Sequence, residues 1–141
     1  MEEKLQRLLP LPGRILISLI FFMSGIGKIF DFSGTTAYME NVGNMPMASI
    51  LLVGAIVLEL AGGLSIILGF KARIGAILLM VFLIPATLIF HDFWTFPEEQ
   101  QKIQMIMFMK NLSIFGALLT IVAYGSGPFS LDGGTKGDDT A

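Results

Sequence analysis

The chain has 141 residues, 54% of them hydrophobic and only 14% charged, with a formal net charge of −2 and a mean hydropathy of +0.77. This composition belongs to a membrane protein of one compact bundle, leaves no room for a separate soluble catalytic domain, and gives no basic face for nucleic acid. Cysteine is absent, so disulfide exchange, thiolate catalysis and iron–sulfur ligation are excluded for this chain alone, and redox chemistry needs a borrowed cofactor.

In chain order, Leu5, Leu8 and Leu9 share a helical face beside Lys4 and Arg7, the pattern of a short interfacial helix that Pro10 and Pro12 end. Four apolar segments follow, at 15–30, 46–69, 74–90 and 103–124, each close to the ~20 residues that ~30 Å of hydrocarbon requires. The first is read as a retained span, because Gly27-Lys28-Ile29-Phe30 offers no small-x-small cleavage site. In the connection after it, Ser33 is suited to cap a short helix through Thr35, Ala37 and Met39 that stops near Gly43 and lies over the bundle.

Gly69 is suited to end the second span, and Gly69-Phe70-Lys71-Ala72-Arg73 then makes a tight hairpin. Pro85 can bend the third. The connection His91-Asp92-Phe93-Trp94-Thr95-Phe96-Pro97 is aromatic-rich, with Trp94 as an interfacial anchor, and Pro97-Glu98-Glu99 fits a first helical turn. Residues 125–141 are rich in Gly, Ser, Thr and Asp and read as a flexible tail, disordered beyond about Asp132.

The expected fold is therefore all-α: a polytopic membrane protein with a four-transmembrane-helix bundle and short interfacial helices. Its parts are an interfacial segment (1–14), a membrane domain (15–124) and the tail (125–141). Lys4, Arg7, Arg14, Lys71, Arg73 and Lys136 fall on one side and only Lys102 on the other, which makes both termini cytoplasmic.

Lys28, Glu59 and Lys110 interrupt these apolar runs, and an ionisable group in hydrocarbon is costly enough to imply a partner or a function. At ~1.5 Å per residue, Lys28 lies ~20 Å above residue 15 and Lys110 ~10 Å below residue 103. Their heights are similar, and Glu59, near the midplane, is within reach of a lysine above it. His91 and Asp92 fall at the outer boundary and Asn111 adjoins Lys110, so these six residues can line one outward-opening polar pocket. Gly25, Gly62 and Gly63 stand one turn from the charges, while Ser65 with Gly69 and Ser113 with Ala117 form small-residue ladders that let helices approach closely.

Two readings of the charges stay open: a pocket for carbonyl or anionic oxygens, such as a quinone head group or a small acid, or an assembly clamp in which Lys28 pairs with Glu59 while Lys110 snorkels. One histidine without cysteine provides no protein-only metal site, and Met105, Met107 and Met109 read as flexible packing.

Arg14, Phe21-Phe22-Met23-Ser24-Gly25-Ile26-Gly27-Lys28, Leu58-Glu59-Leu60-Ala61-Gly62-Gly63, Leu68-Gly69, His91-Asp92-Phe93-Trp94 and Lys110-Asn111-Leu112, in that order and spacing, resemble the DoxX family of small bacterial membrane proteins. The resemblance runs from Arg14 to Asp132, and its closing stretch departs from the family in carrying Pro128 where an arginine is common. It implies a four-helix bundle in the bacterial inner membrane. It also implies an association with quinone-linked redox systems and oxidative-stress responses, since the family is named after a membrane subunit of a sulfur-oxidising, quinone-reducing system. The positions it carries over are Lys28, Glu59, His91, Lys110 and Asn111.

The expected function is a quinone-associated or redox-partner subunit, not a self-sufficient enzyme, with no intrinsic cofactor and with quinone as the ligand. Its partners would be the lipid bilayer and a redox-enzyme subunit or a second copy. In that role Lys28 and Lys110 hold ligand oxygens, Glu59 orients Lys28 or relays a proton, and His91 with Asp92 connects the pocket to water. The alternatives are a non-catalytic binding or scaffold protein, whose buried charges hold the bundle together, and a small transporter.

Overall fold

The computed structural model describes residues 1–133, which form α1 (Glu2–Leu8), α2 (Pro10–Phe30), α3 (Phe32–Asn41), α4 (Ala48–Leu68), α5 (Ala72–Phe90), a 3-10 turn (Phe93–Thr95) and α6 (Glu98–Tyr124). The expectations for Lys136 and for residues 134–141 fall outside this range.

α2, α4, α5 and α6 are each long and apolar enough to cross a membrane. α2 and α4 have 21 residues and α5 has 19, so they measure ~29–32 Å against the ~30 Å of a hydrocarbon core. α6, with 27 residues, measures ~40 Å and reaches beyond that layer or tilts within it. The fold class expected from the sequence is the one found.

The ends of the elements differ from expectation in ways that have physical causes. Pro10 and Pro12 do not merely stop α1; they open α2, where a missing backbone N–H costs nothing in the first turn. The first long helix therefore starts at Pro10, not at residue 15. Ser33 is not a cap but lies inside α3, whose first turn is closed through the backbone carbonyl of Asp31, which accepts from the Thr35 N–H. α4 closes on Gly69 at φ 65°, with Gly69 N–H donating to Ile66 O and Phe70 N–H to Ser65 O, a Schellman ending that needs the left-handed residue. α5 runs through Pro85 to Phe90.

Four crossings return the chain to its starting side. α1, the Gly69–Lys71 hairpin and residues 125–133 share a terminal end, while α3 and the 3-10 turn share the opposite, loop end. Successive membrane-spanning helices pack closely: α2 on α4, α4 on α5, α5 on α6; α2 and α6 touch at few positions.

Small residues bring α2, α4 and α5 together. An added Cβ at Gly62 would stand 2.7 Å from Leu79 Cγ, and one at Gly25 would stand 2.8 Å from Leu60 Cδ2. In lipid, association relies on such close van der Waals approach, since tails are as apolar as leucine. Ser65 contributes differently: its hydroxyl donates to Phe70 O at 2.6 Å and fixes the hairpin. Ser113 is exposed and Ala117 half-buried, so this ladder faces mostly outward.

Buried side chains form two clusters. One, toward the terminal end, joins Phe21, Ile66, Ala72, Ala76, Leu79, Leu83, Leu118 and Ile121. The other, beneath α3, joins Met39, Ala48 and Leu52. Between them the packing is interrupted.

The terminal end is tied by a side chain whose role was not apparent in the sequence. Arg14, 3% exposed, donates from one terminal nitrogen to Ser126 O and from the other to Phe129 O at 2.7 Å. Leu131 N–H donates to Leu68 O at 3.1 Å, Asp132 N–H to Gly69 O at 2.9 Å, and the Asp132 carboxylate accepts from Lys71 N–H. Residues 125–133, expected as the start of a flexible tail, fold back over the helix ends.

Candidate functional site: a pocket around a buried ion pair

Side chains on an α-helix slope toward its N-terminus. For Lys28, near the end of α2, that direction is down into the bundle, and its ammonium reaches Ser24 Oγ, one turn earlier, at 2.5 Å. There it meets Glu59, 1% exposed at mid-α4: Nζ lies 2.9 Å from Oε2 and donates to Oε1 at 3.2 Å. The nearer oxygen, Oε2, is close in distance but off the hydrogen-bond direction and has no hydrogen-bond partner among the described residues. Lys28 Nζ also lies 5.5 Å from the centroid of the Phe82 ring, which adds a face of negative potential. It is the only ion pair among the described residues, and removing either partner would strand a charge in apolar surroundings.

The pair stands at the wall of a cavity of about 370 Å³, in the gap between the two buried clusters. A volume of ~300–1,000 Å³ is the usual scale of a small-molecule site. Its apolar lining comes from Ile20, Phe21, Leu52, Phe82, Leu83, Phe90 and Ile114, and its polar points are Ser24, Lys28, Thr35, Tyr38, Glu59, His91, Lys110 and Asn111.

Five of the six site residues singled out in the sequence thus meet at one cavity. Asn111, buried, donates from Nδ2 to Thr87 Oγ1 at 2.9 Å, and the Thr87 hydroxyl donates to Leu83 O at 2.7 Å. His91 Nδ1 is hydrogen-bonded to Gln104 Oε1 at 2.8 Å. Lys110 leans the other way from Lys28, toward the loop end, where Met107 Sδ at 3.3 Å is its only hydrogen-bond partner among the described residues.

The sixth, Asp92, is elsewhere. It holds the 3-10 turn, accepting the Thr95 hydroxyl on Oδ2 at 2.7 Å. Beside it Phe93, Trp94 and Phe108 pack edge-on at 5.2–6.0 Å, and Trp94 remains 57% exposed, in keeping with an interfacial anchor.

The residues that sequence reasoning missed are Thr87, Gln104, Tyr38 and Phe82. Thr87 and Gln104 carried a usable signal, being uncharged hydrogen-bonding groups inside apolar runs. Tyr38 and Phe82 carried none, because an aromatic in a span reads as lipid-facing or core. No group of three His, Asp or Glu side chains among the described residues could hold a metal ion.

Fold and site together define a small four-span membrane protein with one charged pair inside the bundle and a cavity beside it. The DoxX family model matches residues 9–92, which hold Lys28, Glu59 and His91 and stop short of α6. Two curated proteins of Escherichia coli (strain K12) are similar along most of the chain. Inner membrane protein YphA is 36% identical over 120 residues, covering 85% of each chain, and inner membrane protein YqjF is 35% identical over 130 residues, covering 92% of this chain and 94% of the relative. A Surfeit locus protein 4 homolog of Drosophila melanogaster is 29% identical over 134 residues, 93% of this chain but 42% of that protein. No solved structure matches. This chain belongs to the DoxX family of inner-membrane proteins.

Proposed function

We propose that this protein is a quinone-associated subunit of the bacterial inner membrane, which holds a lipid-soluble, oxygen-bearing ligand beside the Lys28–Glu59 pair and serves a redox partner. The observation that carries the proposal is the cavity of about 370 Å³ with apolar and aromatic walls and a few converging polar groups at one side. Lys28 and Lys110 give the site two cations against one carboxylate, an excess suited to carbonyl oxygens. Asn111 and His91 add further hydrogen-bonding groups to the lining. Both termini lie in the cytoplasm, which is supported by Arg14, Lys71 and Arg73 at the terminal end.

A second reading has its own support. Lys28 and Glu59 bridge α2 and α4 and largely satisfy each other, as a clamp that only assembles the bundle would.

Purification in mild detergent followed by lipid extraction and quinone analysis separates the two. The pocket predicts quinone with the wild type, and its loss from Lys28→Ala, from Glu59→Gln and from Ala86→Phe, which fills the cavity without touching the pair. If folded Ala86→Phe keeps as much quinone as the wild type, or the wild type carries none, the clamp reading stands instead.

A further inference from the structure

The sides of the cavity are closed very unequally. Its roof is α3, where Met39 is 7% exposed and the Tyr38 ring stacks on Phe90 with centroids 5.4 Å apart. Its floor is the buried cluster around Phe21, which Phe82 meets edge-on at 6.4 Å. Small residues seal α2 against α4 and α4 against α5. The seam between α2 and α6 has no such seal, although both helices line the cavity.

Ile20, at the seam, is 43% exposed and stands ten residues from each end of α2 (Pro10–Phe30), hence ~15 Å from both. With ~30 Å of hydrocarbon, that is the middle of the bilayer, beyond the reach of bulk water. Across the seam Ile114 is ten residues from the end of α6 (Glu98–Tyr124), a matching ~15 Å from the terminal end.

We infer that the cavity fills sideways, through the seam between α2 and α6, and that its ligand is a neutral amphipath dissolved in the bilayer. This rests on the pocket reading above. A ligand taking this route carries its head through hydrocarbon, where an unpaired polar group costs ~2–7 kcal/mol and an isolated carboxylate far more. An ionised carboxylate is thereby excluded as the form that enters, and molecules whose oxygens are uncharged in transit remain. Lys28 and Glu59 then meet the head at the inner wall while the apolar body lies along the seam.

Decylubiquinone supplied in phosphatidylcholine vesicles tests the route through its rate of uptake by reconstituted protein. Ile20→Trp narrows the seam and should slow uptake by about tenfold or more, as gating groups do. Because the chain has no cysteine, Ala37→Cys on the exposed face of α3 can be labelled uniquely with a bulky polyethylene-glycol maleimide. That label obstructs the loop end and should leave uptake unchanged.

A third arm needs no ligand: in a Trp94→Phe background, Ile114→Trp emission should be quenched by lipids brominated on their acyl chains and not by aqueous acrylamide. This chain is also a second seam variant if Ile20→Trp does not fold. Uptake that ignores both seam variants, uptake blocked by the label on α3, or quenching by acrylamide alone overturns the lateral route and leaves the pocket standing. Absence of uptake by the wild type overturns the pocket and this inference together.

Discussion

Lys28 and Lys110 illustrate how much one backbone direction decides for a residue. α2 runs from the terminal end to the loop end and α6 runs back, so side chains that slope toward their helix N-termini lean opposite ways. Lys28 leans inward onto Glu59, and Lys110 leans outward to Met107. Counting helical rise from the sequence placed the two lysines at similar heights, but rise carries no information about lean.

The consequence is unequal cost. Lys28→Met or Glu59→Leu alone should destabilise by about 3 kcal/mol, since each leaves a buried charge unpaired, whereas the double variant should recover most of that loss. Lys110→Met, at an exposed position, should change stability by less than about 0.5 kcal/mol. Thermal unfolding in detergent, arranged as a double-mutant cycle, measures all three. A double variant as unstable as the sum of the singles would show that the pair does not act as a unit.

At the scale of elements, the helices were legible because ~20 apolar residues between turn signals admit little else in a membrane. Their junctions were not. Pro10 could stop one helix or start the next, and the bundle decides for the latter by continuing α2 downward.

Residues 125–133 misled for a related reason: their Gly, Ser and Asp content is that of a free tail, yet the backbone carbonyls of Ser126 and Phe129 are what the buried Arg14 needs. Arg14→Lys should therefore lower the unfolding temperature, because an ammonium does not match the fork that serves two carbonyls at once. Gly69 depends on the same tie. Its φ of 65° and the Ser130 and Arg14 atoms beside it predict that Gly69→Ala costs about 1–2 kcal/mol or more. Gly54→Ala, in open space mid-α4, should instead be neutral or stabilising by up to about 1 kcal/mol. A melting series on the two variants checks this contrast, and equal effects would remove the tie.

For the whole molecule, the number of crossings and five of the residues that line the cavity could be read from the sequence, while the identity of the loosely joined helix pair could not. Periodicity assigns faces to each helix but does not say that α2 and α6 touch at few positions, and the inferred lateral route runs through that loosely joined pair. Orientation rests on the lysines and arginines of the terminal end. A phosphatase fused after Ala141 should be silent and a fluorescent reporter bright, and the reverse pattern would invert the topology.

The central claim, that a lipid-soluble ligand occupies the space beside Lys28 and Glu59, is tested most directly by ligand-dependent unfolding. A bound quinone at about 100 times its Kd should add ~2.7 kcal/mol to the wild type and raise its unfolding temperature by several degrees. Ala86→Phe, with the cavity filled, should show no shift. Equal shifts in both proteins, or none in either, would contradict it.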